Sequence, residues 1–102
     1  MNKYTLSVGL NDKNTKKQRL STIEAYKIVE NTIVKIAGGG SIFEGRGIYK
    51  YDNGMVVIEN TLSVELYDCD EAVAIEIIEA LKISLNQECI ILTSAVVNSK
   101  FI

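Results

Sequence analysis

Two residues, Asn53-Gly54, limit what this chain can fold into more than any others, because they lie between two alternating apolar runs. Asn-Gly in that setting is the strongest short-range hairpin signal: a type I′ turn needs positive φ at both central positions, and these residues tolerate it. The stretch Ser41 to Tyr67 therefore reads as one long β-hairpin. A two-residue turn sets Tyr51 opposite Val56, Tyr49 opposite Ile58, Gly47 opposite Asn60, Gly45 opposite Leu62 and Phe43 opposite Val64. That register gathers the Phe, Tyr, Val, Ile and Leu side chains on one face and Glu44, Arg46, Lys50, Glu59, Ser63 and Glu65 on the other. A three-residue turn through Asp52 slides the pairing by one, puts Tyr49 beside Val57 and mixes the faces. The two-residue turn is the expectation.

The remaining elements follow from periodicity. Lys3 to Leu10 alternates, with Tyr4, Leu6, Val8 and Leu10 on one face, which is the period of a half-buried strand. Ser21-Thr22-Ile23-Glu24 is a capping box, so a helix starts at Thr22, turns Tyr26, Val29, Ile33 and Ile36 inward and stops at Gly38-Gly39-Gly40. Asp68 or Asp70 caps a second helix from Glu71 to about Leu85, with Ala74, Ile77, Ile78, Leu81 and Leu85 inward and Asn86 suited to an αL stop. Cys89 to Val97 is a β-branched run and reads as a central strand covered on both sides, or one with an oligomer contact on its second face. Strand, helix, strand, strand, helix, strand is the ferredoxin-like βαββαβ order: an α+β fold, one domain over residues 1–102, with two helices on one face of an antiparallel sheet.

A ten-residue arm spans roughly 33 Å, whereas a fifteen-residue helix covers roughly 22 Å. The tip of the β2–β3 hairpin must overhang, exposing Tyr49, Tyr51, Val56 and Ile58. Exposed apolar ribbons of this kind mark interfaces, so a homo-oligomer formed through the hairpin is expected, unless the C-terminal tail folds back over the arm.

Composition narrows the function classes. A net charge of −2 argues against nucleic acid and anionic membrane as partners. No apolar run approaches the roughly 20 residues needed to span a bilayer, and Met1 to Thr5 lacks the apolar core of a signal peptide, so a cytoplasmic location is expected. The two cysteines, Cys69 and Cys89, fit no metal spacing. Histidine is absent, which removes the commonest general base and metal ligand. No acid falls on the expected inner face, so neither enzymatic activity nor a cofactor is expected.

Candidate binding residues lie in two places. Lys13, Lys16, Lys17 and Arg19 precede the first helix, where cations join the free amides of a helix N-terminus. Gly45 and Gly47 leave a gap between Phe43 and Tyr49, with Asn60 as the one polar group on that face. The expected function is a non-enzymatic homo-oligomer that holds or sequesters a small anionic, nucleotide-like ligand at a subunit interface. Lys13, Lys16, Lys17, Arg19 or Arg46 would neutralise its charge, Tyr49 or Tyr51 would stack on it, and Asn60 would face the gap. Two alternatives stand beside it: a protein-interaction module, such as a small phage- or plasmid-borne inhibitor of a host protein, and a small dimeric ferredoxin-like enzyme in which Asn60 and Arg46 are the available site members.

The run Ile42-Phe43-Glu44-Gly45-Arg46-Gly47-Ile48-Tyr49, with Asp52-Asn53-Gly54, Glu59-Asn60 and the junction Leu85-Asn86-Gln87-Glu88-Cys89-Ile90, resembles an uncharacterised family of small bacterial ferredoxin-like domains. That family has a Gly-Arg-Gly-aromatic strand and a Gly-Gln-Glu-Ser-Val junction, from which Asn86 and Cys89 depart. The resemblance implies the fold and assigns no functional residue. In architecture the chain is also similar to the nucleotide-sensing and metal-tolerance trimers that use a ferredoxin-like unit with a long hairpin.

Overall fold

The computed structural model describes residues 1–102. Its elements are β1 (Asn2–Gly9), α1 (Thr22–Ala37), β2 (Ser41–Lys50), β3 (Val56–Tyr67), α2 (Glu71–Ser84) and β4 (Ile91–Val96). The strands form one antiparallel sheet in the order β2-β3-β1-β4, and the helices cover one of its faces, so the fold is ferredoxin-like α+β as expected. Tyr4, Leu6 and Val8 of β1 and Leu62, Val64 and Leu66 of β3 point at the helices, which answer with Ala25, Val29 and Ile33 from α1 and Ala74, Ile77 and Leu81 from α2. Local chemistry agrees with this packing. The Ser21 hydroxyl accepts the Glu24 amide at 3.1 Å, and Gly38, at φ +82°, ends α1 by donating to the Ile33 and Val34 carbonyls. At the end of α2, Asn86 adopts φ +48°, Gln87 N–H donates to Lys82 O at 3.0 Å and Asn86 N–H to Ile83 O at 3.3 Å. That pair of bonds is a Schellman motif, which satisfies carbonyls the helix would otherwise leave open.

Two expectations are corrected. β4 is an edge strand: it pairs only with β1, from Asn2↔Val96 to Ser7↔Ile91, and Ile91 and Val96 are exposed. Its β-branched run reports strand propensity, not burial on two faces. The hairpin takes the register rejected above. Tyr49 pairs with Val57, Ile48 with Ile58, Arg46 with Asn60 and Phe43 with Ser63. Gly54 alone has positive φ, +88°, and its N–H donates to Tyr51 O at 2.9 Å; Tyr51 N–H donates to Met55 O at 2.8 Å. Asp52-Asn53-Gly54 is thus a three-residue loop with glycine in the αL position. Asn53 serves through its side chain, whose Oδ1 accepts the Met55 amide at 2.9 Å. Both faces of β2 carry large apolar side chains, so composition could not choose between them; the loop sends Ile42 toward the helices and turns Phe43 and Tyr49 to the open side.

The overhang is present. The molecule measures 47 × 25 × 22 Å, and Ile48, Val56 and Ile58 stand exposed on the helix side of the arm, Ile48 at 70%. Phe101 and Ile102 are themselves exposed and leave the arm uncovered.

At the other end of the sheet, residues 11–20 fold around Asp12, which is 4% exposed. Its Oδ1 accepts Asn86 Nδ2 at 2.7 Å, its Oδ2 accepts the Asn14 and Thr15 amides at 2.9 and 3.0 Å, and Arg19 Nε lies 3.6 Å away. The Asn86 bond first, then the Thr15 and Asn14 amides and the Arg19 charge, hold this carboxyl below its ordinary 3.8, at about 2.

Two outcomes follow from these contacts. Gly54→Ala forces a Cβ into the left-handed region and should cost about 1 kcal/mol in urea unfolding, whereas Asn53→Ala, at negative φ, should cost less than half of that. Because folding favours ionised Asp12, its contribution is complete above about pH 4 and is lost as pH falls toward 2. The unfolding curves of wild type and Asp12→Asn should therefore converge across that window.

Candidate functional site

The face of the sheet opposite the helices is uncovered, and the register decides what stands on it. Phe43, Gly45, Gly47 and Tyr49 of β2 share it with Val57, Glu59, Thr61 and Ser63 of β3 and with Ser7 and Gly9 of β1. Gly9, Thr61 and Gly45 form one row across three strands, and Glu59 and Gly47 belong to the next. The result is a low strip walled by Phe43 on one side and Tyr49 on the other. Its floor is close: a Cβ at Gly45 would lie 3.3 Å from Thr61 Oγ1, and one at Gly47 3.3 Å from Thr61 Cγ2.

Glu59 folds along this floor. A Cβ built on Gly9 would lie 2.5 Å from Glu59 Oε1 and 2.7 Å from Oε2, so only glycine at position 9 lets the carboxylate rest there. Oε2 accepts the Asn11 amide at 2.9 Å, and Oε1 has no donor within the protein. Asn11 is held in turn, its carbonyl accepting Gln87 Nε2 at 2.7 Å. Beyond Glu59, the Tyr49 and Tyr51 rings meet edge to face with centroids 5.4 Å apart. A hydrogen bond with Tyr51, burial and the Glu59 charge push the Tyr49 hydroxyl up to about 12, so it remains a neutral donor at working pH.

The candidate residues do not converge on one place. Tyr49 and Tyr51 lie on the open face. Arg46 and Asn60 pair directly across the arm on the helix side, where Asn60 Nδ2 donates to Gln18 Oε1 at 2.8 Å. Asn60 therefore ties the arm to the 11–20 loop instead of facing the glycine gap. Lys13, Lys16 and Lys17 are exposed and carry no ion pair, and Arg19 leans toward Asp12. The amides at the start of α1 are served by Ser21, whose own hydroxyl reaches Glu24 Oε1 at 3.1 Å. On the helix side a shallow groove of about 290 Å³ runs between Ile23, Tyr26, Lys27 and Glu30 of α1 and Glu44 of β2. Glu59, Thr61, Asn11 and Gly9, the members of the open-face cluster from β3 and the end of β1, were missed by sequence reasoning because only the pairing of β1 with β3 brings them together.

No family model matches the chain, and no curated protein matches it in sequence. Solved structures do match in fold. A phage SAM lyase in complex with S-methyl-5′-thioadenosine superposes with a TM-score of 0.62 at 24% identity, covering 92% of this chain and 79% of that one. A phage SAM lyase in the apo state gives 0.62 at 20% identity, over 92% and 78%. A point variant of CutA1 from Pyrococcus horikoshii OT3 gives 0.59 at 16% identity, over 96% and 86%. These likenesses show the ferredoxin-like fold. They also overturn the expectation that the chain is not an enzyme: a phage SAM lyase is built on this same arrangement of two helices and four strands.

Proposed function

We propose that this chain is a small homo-oligomeric enzyme that cleaves S-adenosylmethionine, or a close adenosyl sulfonium, on the open face of its sheet and releases S-methyl-5′-thioadenosine. The observation that carries the reading is Glu59, a carboxylate laid over Gly9 with one oxygen lacking a donor, on the same open face as Phe43 and Tyr49 and on a scaffold like that of the phage lyase. Lys13, Lys16, Lys17 and Arg19, on the loop that starts at Asn11 beside Glu59, draw the carboxylate end of the substrate. Two free thiols, Cys69 and Cys89, suit a reducing compartment such as the cytoplasm.

The chemistry suits a chain without histidine. When the bond between sulfur and the aminobutyrate carbon breaks, the electron pair leaves with sulfur and cancels its positive charge. The substrate's own carboxylate oxygen supplies a new pair to that carbon and closes a lactone. No proton is taken up or given off, and the charge of +1 resides on the ammonium of the amino lactone. The protein has to stack the adenine against Tyr49 or Phe43, fold the aminobutyrate chain so that oxygen and carbon are in line, and keep water out.

Glu59 belongs on the ammonium, not on the sulfonium. The ammonium charge persists through the reaction, whereas a carboxylate against sulfur would stabilise the substrate more than the transition state. Glu59→Gln should therefore raise KM by roughly tenfold to a hundredfold and change kcat less, since it removes one charge-assisted hydrogen bond made in both states. Gly9→Ala, which pushes the carboxylate off its floor, should do the same with little loss of stability. The test is purified protein incubated with S-adenosylmethionine and followed by mass spectrometry; no S-methyl-5′-thioadenosine at stoichiometric protein would defeat the proposal.

The exposed arm belongs to the same reading, with Ile48, Val56 and Ile58 covered by a second copy. Sedimentation should give more than one subunit, and Ile48→Asp combined with Ile58→Asp should give a folded monomer.

A further inference from the structure

Gln87 is a polar side chain buried to 7% exposure in the junction between α2 and β4, and the reaction proposed above gives it nothing to do. The Schellman bonds at the end of α2 fix its backbone, with Gln87 N–H on Lys82 O at 3.0 Å. Its amide nitrogen then donates to Asn11 O at 2.7 Å, across 76 positions of sequence. The N–H of that same residue holds Glu59 Oε2 at 2.9 Å. The carbonyl and N–H of Asn11 flank a single Cα, so clamping one narrows the directions the other can take. Asn86 grips the next two residues, donating from Nδ2 to Asp12 Oδ1 at 2.7 Å and accepting the Lys13 amide at 3.0 Å.

We infer that Gln87 is a positioning residue for Glu59, acting through the backbone of Asn11, so that the end of α2 sets where the carboxylate lies on the open face. The inference rests on the reading of that face as the substrate site. It gives the Asn86-Gln87 junction a purpose that helix termination alone does not: αL geometry at Asn86 aims Gln87 inward, and Gln87 carries that rigidity across the end of β1 to the arm.

The test uses the full chain and two readouts. In Gln87→Leu, hydrogen exchange at the Asn11 amide, followed by ¹⁵N NMR, should speed up about tenfold or more, while the Leu6 and Val8 amides keep their protection. KM for S-adenosylmethionine should rise as it does in Glu59→Gln, and Gln87→Leu should add nothing further when Glu59 is already Gln. Unchanged protection at Asn11, or an equal rise in KM in the Glu59→Gln background, overturns the inference. Faster Asn11 exchange in a protein whose wild type releases no S-methyl-5′-thioadenosine supports the positioning and defeats only the substrate assignment. Should Gln87→Leu fail to fold, Gln87→Met keeps the length and loses the donor, and the same outcomes decide.

Discussion

One torsion angle organises the functional half of this molecule. At φ +88° Gly54 closes a three-residue loop, and the loop sets which residue of β2 meets which residue of β3. A slip of one position would turn the β2 side chains over relative to the helices. In the register adopted, Phe43, Gly45, Gly47 and Tyr49 all leave the helix side, and the row on β3 that they join contains Glu59 and Thr61. The helix side loses little by this, because Leu62, Val64 and Leu66 stay fully buried and Ile42 of β2 still packs on the core. A loop near the tip can therefore control the chemistry of the open face at small cost to the core.

The parts of the fold that were legible were those where one period had one explanation. The alternation from Tyr4 to Leu10, the N-cap at Ser21 and the αL stop at Asn86 each admit a single local structure, and each is found. β2 and β4 misled for a shared reason. The strand Ser41–Lys50 has apolar residues on both faces, at Ile42 and Ile48 on one and Phe43 and Tyr49 on the other, so hydrophobicity carries no vote on its register. The β4 run is apolar on both faces too, yet β4 borders solvent. An edge strand that is greasy on both sides looks from its sequence like a central one, because the residue pattern does not say which strand borders the sheet. The candidate site was illegible for a second reason. Gly9, Asn11, Glu59 and Gln87 are unremarkable singly and spread over 79 residue numbers; only pairing β1 with β3 and returning α2 to the end of β1 makes them neighbours.

The absence of histidine means different things depending on the leaving group. Acyl and phosphoryl transfer need a base to make a nucleophile or an acid to protect an alkoxide, and a chain without histidine is poorly equipped for either. A sulfonium brings its own driving force: it departs as a neutral thioether, and the nucleophile can belong to the substrate. On the reading proposed, what remains for the protein is to hold a flexible chain in one shape, which asks for flat walls, a close floor and a charged group that does not move. Those are the features of the glycine strip, with Tyr49 and Phe43 beside it and Glu59 folded across Gly9.

The position of that strip along the arm matters as much as its composition. Leu62 has no exposed surface and Ile58, four residues on, is 53% exposed, so Glu59 and Thr61 sit where the sheet leaves the cover of the helices. Farther out, an immobile carboxylate would have no framework behind it, because an unsupported two-stranded ribbon is only marginally stable in water. Farther in, the face would still be flat but out of reach of the tyrosine pair at the tip. At the root of the arm, Glu59 can be anchored from the rigid side, by Asn11 and Gln87, with its carboxylate lying over Gly9 and Oε1 left without a protein donor.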